Sequence, residues 1–566
     1  MESVGGVVVR RALRSCRPRM QHVNLRAVSD RRASLAVKSR CLSRGHMTLH
    51  VHNTLTKRLE KFVTLQPKVA RIYTCGLTVY APMHIGHART YCFWDLFRRY
   101  LEYRGYHVVS VINYTDIDDR IIERASKCDD GPEGPIDLAE RNIASFRRDC
   151  RTLHIKDYAA YTRATDFIEE QVGMIQRLIG KEHAYASGGE VFYSVDSYER
   201  YGQLSGRKIE DQDVGASGRV TEDFARKKNP ADFTLWKPSH KGSPMWQTQQ
   251  AAWPSGRPGW HIECSAMSTA LLGTHFDVHG GGIDNMFPHH ENEIAQAEPL
   301  CDPPWVRYWL HPEHLDLKEQ KMSKSMGNVI CVTELINKFS HDEARWFFAT
   351  QHYRAKLAFS WDLCAQSTQG YARIKKLVRV LANKLGDGEG VTFPAGEYAS
   401  QRGEAERVPR LRHQYVSGDY GEHTVSFLGR FILAMDDDIN TPKAIAALFD
   451  YVSALYGAGI EQSSDKSSLA AVYRALTRHL WVLGVEIAES TLYPELVAEF
   501  AGAPARCSSS RGGDAVLDRL LEMRRAARVE RDFVKSDAIR NLLAEAGVVI
   551  EDAKGETRWS VSRKSE

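Results

Sequence analysis

One run of strand, helix and strand signals constrains the fold of this chain most. Residues 70–74 and the β-branched run at 107–113 read as buried strands, whereas residues 86–103 repeat apolar side chains at helical spacing. A helix between two such strands predicts a βαβ unit, in which the strands are parallel and the helix covers one face of the sheet. We therefore expect an α/β fold.

The strand and helix signals change along the chain in a way that predicts several domains. At 566 residues the chain is too long for one hydrophobic core. Residues 155–255 interrupt the α/β alternation with a hairpin signal at Gly188 and Gly189, and past about residue 365 helical patterns continue alone to about residue 484. We expect an α/β domain over 47–370 with an insertion at about 155–255, a helical domain over 385–500, and a small domain over 514–566.

The net charge of +5 is unevenly distributed along the chain. Residues 1–46 hold eleven Lys or Arg residues against two acidic residues, a net charge of +9, so the remaining 520 residues carry −4. An Arg-rich and Ser-rich start that is poor in acids is typical of a mitochondrial transit peptide, and we expect localisation in the mitochondrial matrix. A disordered basic arm that binds nucleic acid is the alternative, and initiation at Met47 would give a cytoplasmic form.

Neither the hydrophobicity nor the cysteine content indicates a membrane or secreted protein. No apolar run approaches the ~18 residues that a membrane-spanning helix needs, so we expect no membrane partner. The eleven cysteines are scattered without a CxxC pair, which favours a reducing compartment over a disulfide framework.

Residues 84–87, His-Ile-Gly-His, follow the first strand signal and begin the predicted helix. Free N–H groups and the helix dipole favour phosphate at such a helix start. Gly86 permits close approach of a ligand, and His84 and His87 can donate hydrogen bonds to a triphosphate. A capped helix start without a ligand is the alternative.

A second motif, Lys-Met-Ser-Lys-Ser at residues 321–325, offers two ammonium groups and two hydroxyl groups. Such groups suit the negative charge that develops on a departing pyrophosphate, although a solvated basic turn would look the same. The two motifs occur in this order at opposite ends of an α/β region. Together they resemble the signature of class I aminoacyl-tRNA synthetases.

Further blocks resemble one family within that class, the cysteinyl-tRNA synthetases. They are Tyr73-Thr74-Cys75-Gly76, Thr115-Asp116-Ile117-Asp118-Asp119, and the segments at residues 259–267, 279–284, 287–293 and 436–442. The resemblance runs from about residue 50 to the C-terminus. It implies a Rossmann-type parallel-sheet catalytic domain with an inserted connective subdomain, followed by a helical-bundle domain and a small C-terminal anticodon-binding domain.

The resemblance implies a ligase that activates cysteine with ATP to cysteinyl-adenylate and transfers it to the 3′ end of tRNA(Cys) for mitochondrial translation. Its partners would be tRNA(Cys), L-cysteine, and ATP with Mg²⁺, and we expect a monomer. A mycothiol-type cysteine:amino-sugar ligase shares the catalytic domain but lacks the C-terminal region, so residues 385–566 favour the tRNA enzyme. A catalytically decayed tRNA-binding protein would have lost a metal ligand or a signature lysine, and none is lost here.

Four residues are candidates for a metal site. His289 and Glu293 are four positions apart, so on a helix they share one face and can converge on an ion. By themselves, Cys75 and Cys264 would read as two buried free cysteines. The resemblance implies that all four bind one zinc per chain. Zinc would bind the thiolate of the substrate cysteine and exclude serine, whereas a hydrophobic pocket yields only ~1–3 kcal/mol for such a small difference.

The resemblance also implies roles for residues whose types alone are uninformative. The catalytic residues would be His84, His87, Lys321 and Lys324, ATP binding would add Gly86 and Ser323, the amino-acid pocket would contain Thr115, Trp260, His279 and Asp284, and the anticodon would be contacted by Arg528, Phe533, Asp537 and Asp552. From the residues alone, the pocket positions would read as a core tryptophan, a strand-end threonine and turn residues, and the Arg-rich C-terminal helix as a solvated face.

Residues 120–123 bear on a second cofactor. Some members of the family are credited with pyridoxal-phosphate-dependent persulfide formation through a Lys-Ile-Ile-Lys stretch, but the matching stretch here is Arg-Ile-Ile-Glu. Neither end residue can form a Schiff base. Pyridoxal phosphate is therefore a doubtful cofactor, with Lys321 and Lys324 as the remaining carriers.

Overall fold

The structure is a computed structural model, and it describes residues 48–127, 134–207, 226–239, 243–317, 329–385, 418–486, 548–553 and 556–561. The chain divides into two compact units, with the boundary after Ile487. Several predictions fall outside the described residues, namely the transit peptide over 1–46, Lys321, Ser323, Lys324, Arg528, Phe533 and Asp537, together with the side chain of Asp552.

Strands and helices alternate through the first part of the chain, and helices follow. In chain order the strands are β1 (His50–Asn53), β2 (Arg58–Lys61), β3 (Val69–Thr78), β4 (His107–Thr115), β5 (Ala160–Arg163), β6 (Ala184–Ser187), β7 (Glu190–Tyr193), β8 (Phe233–Lys237), β9 (Trp246–Gln247), β10 (Ser255–Pro258), β11 (Phe276–Gly280), β12 (Val306–Leu310), β13 (Leu315–Leu317), β14 (Leu357–Phe359), β15 (Val548–Ala553) and β16 (Glu556–Val561). The helices of five or more residues that follow the α-helical pattern are α1 (Ile85–Tyr103), α2 (Asp119–Ala125), α3 (Pro135–Thr152), α4 (Ile168–Gly180), α5 (Trp260–Leu272), α6 (Glu291–Ala297), α7 (Val332–Ile336), α8 (His341–Ala349), α9 (Trp361–Leu385), α10 (Gly421–Asp436), α11 (Thr441–Gly457) and α12 (Lys466–Val482).

A five-stranded sheet in the order β12-β11-β3-β4-β5 lies at the centre of the first unit. All neighbouring strands in it run parallel. The chain moves from β3 outward to β4 and β5 and then crosses to the other side of β3 for β11 and β12, so the direction of winding reverses between β3 and β11. In open α/β sheets, ligands bind at the carboxyl ends of the strands beside such a reversal.

The predicted βαβ unit is confirmed. β3 and β4 pair in parallel, and α1 connects them. Trp94, Phe97 and Leu101, which share one face of α1, are fully buried and belong to the same hydrophobic cluster as Ile72 of β3 and Val278 of β11. The apolar face that the helical spacing predicts is therefore the face that packs in the core.

The insertion forms an antiparallel sheet in the order β6-β7-β8-β10-β9. The predicted hairpin is confirmed, because Gly188 and Gly189 join β6 to β7 with φ of 61° and 82°, as a type I′ turn requires. The insertion begins later than the predicted residue 155, since β5 pairs with β4 as an edge strand of the main sheet. Its sequence, Ala-Tyr-Thr-Arg, is too short and too polar to predict a strand. At the other end, β10 extends the inserted sheet to Pro258.

Helices α9 to α12 pack with α1 in one hydrophobic cluster, which confirms the predicted helical character of this region. Buried charges fix these helices to the α/β part. Asp436 of α10 accepts hydrogen bonds from Tyr100 of α1 and from Arg104, the residue that follows α1. Because removing one partner of a buried ion pair costs about 3–5 kcal/mol, these contacts hold the helices in a defined position.

In the second unit the structure describes one hairpin, formed by antiparallel pairing of β15 and β16. β15 begins at the β-branched run Val548 to Ile550 and contains Asp552. Within the ranges given above, no helix is long and apolar enough to cross a membrane.

Candidate active site

The first motif caps helix α1. His84 precedes the helix in an extended conformation, and its Nδ1 accepts a hydrogen bond of 3.3 Å from the backbone N–H of His87. The two imidazole rings stack with centroids 3.5 Å apart. Both histidines and Gly86 therefore lie at the N-terminus of the helix, where N–H groups and the helix dipole favour an anion.

The chain that follows the second motif runs beside this helix start. The backbone N–H of Ile85 donates a hydrogen bond of 3.0 Å to the carbonyl of Ile330, and His84 forms an antiparallel bridge with Cys331. Residues 318–328 are outside the described ranges. The first described residues after them are nevertheless direct neighbours of the first motif, although the two motifs are far apart in the sequence.

Three parts of the chain bring the predicted metal ligands together. Cys75 lies in a bulge near the carboxyl end of β3, Cys264 lies on α5, and His289 and Glu293 lie on either side of the start of α6. All four are at most 3% exposed. One donor atom from each lies within 4.8 Å of the donor atoms of the others. The four side chains can therefore bind one metal ion together.

The distances and the electrostatics of this cluster suit a cation. Cys75 Sγ is 3.7 Å from Cys264 Sγ and 3.6 Å from Glu293 Oε1, and His289 Nε2 is 3.1 Å from the same oxygen. Burial raises the pKa of the Cys264 thiol to about 11 and that of the Cys75 thiol well above its usual range, with the neighbouring thiol and carboxylate as further causes for Cys75. Both thiols therefore hold their protons at neutral pH unless a cation replaces them.

Two more histidines contact these ligands. His279, which the resemblance assigns to the amino-acid pocket, donates from Nδ1 to the carbonyl of Tyr73 at 3.1 Å, and its Nε2 is 2.8 Å from Glu293 Oε2. His290 Nε2 is 3.2 Å from Cys75 Sγ. His279, His290, Cys75 and Glu293 form a second set of donors within 4.8 Å of one another. The two sets share Cys75 and Glu293, and they differ in whether Cys264 and His289 or His279 and His290 complete the set.

A further pair of histidines, which sequence reasoning missed, orients this cluster. His261 Nδ1 is 2.9 Å from His289 Nδ1, and His311 Nε2 is 2.7 Å from His290 Nδ1. Hydrogen bonds of this kind fix the tautomer and the direction of a ligating imidazole. Burial lowers the pKa of His311 to about 3, so its ring is neutral. His261 lies inside the segment 259–267, and the family resemblance of that segment could have identified it. Nothing in the sequence around His311 indicates a role in the site.

The other predicted pocket residues lie in different environments. Thr115 is buried at the end of β4, and its hydroxyl donates a hydrogen bond of 2.8 Å to Glu263, a buried carboxylate that sequence reasoning missed. Trp260 begins α5 and stacks on His289 with centroids 4.1 Å apart. Asp284 is exposed in the helical turn that follows β11. Trp260 is therefore the one of these three that contacts a candidate metal ligand directly.

Comparison with protein families matches most of the described chain. Residues 61–369 match the family model described as the class I (C) tRNA synthetase catalytic domain, and residues 430–488 match the DALR domain. Among solved structures, the agnB2 LeuRS of Agrobacterium radiobacter K84, in a ternary complex with tRNA and LeuAMS, covers 77% of this chain and 85% of its own chain with a TM-score of 0.53. At 12% identity this likeness shows the fold alone.

Relatives with higher sequence identity show which family within this class the chain resembles. The cysteine–tRNA ligase of Geobacter sulfurreducens is 38% identical over 518 residues, which cover 91% of this chain and 100% of the relative. The cysteine–tRNA ligase of Alkalilimnicola ehrlichii is 40% identical over 515 residues, which cover 90% of this chain and 99% of the relative. The chain therefore belongs to the cysteine–tRNA ligase family, the class I aminoacyl-tRNA synthetases that join cysteine to tRNA with ATP.

Proposed function

We propose that Cys75, Cys264, His289 and Glu293 hold one Zn²⁺ per chain and that this ion selects cysteine as the substrate. The spacing of the donor atoms carries the proposal. A tetrahedral zinc with Zn–S of ~2.3 Å and Zn–O of ~2.1 Å separates two sulfurs by about 3.8 Å, and a sulfur from an oxygen by about 3.6 Å. The distances of 3.7 Å between the two thiols and 3.6 Å from Cys75 Sγ to Glu293 Oε1 agree with both values.

Zinc would supply the discrimination between cysteine and serine that a hydrophobic pocket lacks. When bound, Zn²⁺ lowers the pKa of a thiol and binds sulfur more strongly than a hydroxyl oxygen. Four protein ligands must loosen or expand to admit the substrate thiolate, and Glu293 is the hard ligand in a soft set. His279 Nε2 already lies 2.8 Å from the second oxygen of this carboxylate. The second oxygen of Glu293 therefore keeps its contact with His279 if the bond to the metal lengthens.

We assign the residues of the two motifs to the binding and activation of ATP. The carboxylate of cysteine attacks the α-phosphate and releases Mg-pyrophosphate, and a terminal ribose hydroxyl of tRNA, the 2′ hydroxyl in class I, then attacks the acyl carbon. Neither step needs a protein nucleophile. His84 and His87 donate to the triphosphate, while Lys321 and Lys324 stabilise the departing charge, with Gly86 and Ser323 completing the ATP site. The contact between Ile85 and Ile330 supports a common site for the two motifs.

We propose that the C-terminal unit recognises the anticodon of tRNA(Cys). Arg528, Phe533, Asp537 and Asp552 are the candidate contacts, and Phe533 offers a face on which a base can stack. Outside residues 1–46 the chain carries a net charge of −4, so tRNA binding must use local basic patches, and its affinity should fall with salt. We expect the active form to be a monomer.

The proposed location is the mitochondrial matrix. The net charge of +9 over residues 1–46, with few acids and many serines, supports a transit peptide that is removed after import. Initiation at Met47 would give a second, cytoplasmic form.

An ATP–pyrophosphate exchange assay with cysteine and with serine, before and after treatment with a chelator, tests the zinc proposal. Exchange with cysteine should disappear when the metal is removed and return when Zn²⁺ is added, while serine should support only background exchange. Full cysteine-dependent exchange by metal-free enzyme would reject the zinc proposal and leave the family assignment intact.

A further inference from the structure

The pairing of β3 with β4 is interrupted beside the candidate metal site. The register of the two strands shifts between Thr74 and Leu77. Cys75 and Gly76 of β3 therefore face the single residue Asn113 of β4. Two residues opposite one form a β-bulge, which bends the strand and redirects a side chain. The bulge thus contains one of the four proposed zinc ligands.

The bulge changes which face of the sheet the side chains of β3 reach. Side chains alternate between the two faces of a regular strand, so residues 73, 75 and 77 would share one face. Instead, Tyr73 and Cys75 belong to one hydrophobic cluster and Leu77 to another. The adjacent residues Val111 and Ile112 of β4 divide between the same two clusters, so the clusters lie on opposite faces. Without the bulge, the side chain of either Cys75 or Leu77 would lie on the wrong face.

The side chain of Asn113 holds the bulge in place. Its Oδ1 accepts a hydrogen bond of 2.8 Å from the backbone N–H of Gly76, and Asn113 is 1% exposed. The two strands approach so closely here that a Cβ at position 76 would lie 1.6 Å from the carbonyl oxygen of Asn113, so only glycine fits. The amide oxygen satisfies a backbone donor in the irregular part of the ladder, and it therefore stabilises the bulge relative to regular pairing.

We propose that Asn113 is a positioning residue of the metal site, because by holding the bulge it directs the thiol of Cys75 towards the ion. The proposal rests on the proposed function, in which Cys75 is a zinc ligand. Cys75 Sγ lies 3.7 Å from Cys264 Sγ and 3.6 Å from Glu293 Oε1, the spacing that a shared zinc requires. A slip of β3 by one residue would move this position by ~3.3 Å along the strand and turn its side chain to the opposite face.

The zinc affinity of three variants tests the proposal. Asn113→Ala removes the acceptor, whereas Asn113→Asp keeps an acceptor oxygen at the same position. Asn142→Ala is the matched control, because Asn142 is also buried and its side chain also binds the backbone, donating to the carbonyl of Val79 at 2.9 Å. Chelator competition with the full-length protein gives the affinity of each variant for Zn²⁺, and the melting temperature reports its stability.

We expect Asn113→Ala to bind zinc ~10–100-fold more weakly than the wild type, because residues that orient metal ligands contribute that much to affinity. Asn113→Asp should restore most of the affinity, and Asn142→Ala should keep it even if its melting temperature falls as far. Wild-type affinity in Asn113→Ala, or the same weakening in Asn113→Asp or Asn142→Ala, overturns the positioning role and leaves zinc binding itself intact. A wild type that binds no zinc overturns the proposed function as well.

A second variant keeps the test decisive if Asn113→Ala folds poorly. Asn113→Val also lacks the acceptor, and its β-branched side chain favours a strand, so it should fold and show the same loss of zinc affinity. In the Co²⁺-substituted variant the thiolate-to-metal charge-transfer band should weaken, because one of the two protein thiolates turns away from the ion. Pyrophosphate exchange should show a higher KM for cysteine and an unchanged KM for ATP. An unchanged band together with a wild-type KM for cysteine overturns the proposal.

Discussion

The Sγ atoms of Cys75 and Cys264 lie 3.7 Å apart, although the two residues are 189 positions apart in the chain. Cys75 is carried by β3, and Cys264 by α5, which leads directly into β11. Because β11 pairs in parallel with β3, the two cysteines meet at the reversal of winding in the main sheet. The whole inserted sheet lies between them in sequence and does not separate them in space.

The first prediction concerns the selection of cysteine and follows from the contact between Cys75 and Cys264. Cys264→Ser replaces a soft thiolate by a poor zinc ligand, so the variant should lose the zinc that is bound at this site. Cysteine-dependent pyrophosphate exchange should fall at least ~10²-fold, a loss of about 2.7 kcal/mol of transition-state stabilisation. ATP binding should change little, because the ATP motifs lie on other segments. Zinc content, exchange rate and ATP affinity are the three measurements.

Cys301→Ser is the matched control, since Cys301 is half-buried and lies outside both donor sets. It should keep zinc and activity. In the Co²⁺-substituted wild type, cysteine should add a thiolate-to-metal charge-transfer band and serine should not. Identical spectra with the two amino acids would contradict the proposed role of the metal.

A second prediction concerns the insertion, which forms hydrogen bonds with α6, the helix that carries Glu293. The carboxylate of Glu291 accepts hydrogen bonds from the backbone N–H groups of Gly202 at 2.9 Å and Ser205 at 2.8 Å, and the hydroxyl of Tyr201 contacts Asn292. Glu291→Gln replaces one acceptor oxygen by an NH₂ group that faces these donors. Because groups that orient metal ligands typically contribute 10–100-fold to metal affinity, zinc binding should weaken by ~10-fold or more.

Chelator competition measures this change in affinity without relying on activity. Glu199→Gln, which changes an exposed carboxylate in the same segment, should leave the affinity for zinc unaltered. Wild-type affinity in Glu291→Gln would mean that the insertion does not position the metal ligands.

Sequence patterns predicted the elements whose side chains repeat locally. The βαβ unit, the hairpin at Gly188 and Gly189, and the helical region follow from spacing within a few residues, and the structure confirms them. β5 was missed because an edge strand of four mixed residues has no such repeat. Its place is decided by pairing with β4, which no local pattern encodes.

The candidate metal site depends on contacts that spacing alone does not reveal. His289 and Glu293 share a helix face and could be proposed from their spacing, whereas Cys75 and Cys264 required the family resemblance. The contacts of His261 with His289 and of His311 with His290 result from the packing of distant segments. Only a structure reveals such groups, because each residue alone reads as an ordinary histidine.

A third prediction concerns the second motif. If Lys324 stabilises the departing pyrophosphate, Lys324→Ala should lower cysteine-dependent pyrophosphate exchange by ~10²-fold or more and leave the binding of free cysteine nearly unchanged. Lys318→Ala, which removes a lysine just before the motif, should retain most of the activity. Normal exchange in Lys324→Ala would remove this lysine from the mechanism.

A fourth prediction concerns localisation. A reporter fused to residues 1–46 should enter mitochondria, because its Arg-rich and acid-poor composition matches a transit peptide. Changing Arg10, Arg11, Arg14 and Arg17 to Glu should abolish import, whereas changing them to Lys should preserve it. A purely cytosolic signal from the intact fusion would count against a transit peptide.

The last prediction concerns acid stability and rests on His479 of α12. Its Nδ1 donates a hydrogen bond of 2.7 Å to the carbonyl of Ala475, so its Nε2 accepts one of 3.1 Å from the hydroxyl of Tyr103. The neutral ring thus uses both nitrogens, and a second proton would break the bond to Tyr103. Burial lowers the pKa of His479 to about 3, with the charge of Arg478 as a smaller cause.

Between about pH 6.5 and pH 3 the unfolded chain therefore binds a proton at position 479 that the native chain excludes. The free energy of unfolding should fall as the pH drops through this range, by up to about 1.4 kcal/mol per pH unit from this residue. His479→Gln keeps a donor and an acceptor but does not titrate, so between pH 6 and pH 4.5 its stability should fall less steeply than that of the wild type. Urea unfolding at several pH values measures the two slopes, and His107→Gln, which changes an exposed histidine, should retain the wild-type slope. Equal slopes for His479→Gln and the wild type would show that this buried imidazole takes up a proton in the folded protein.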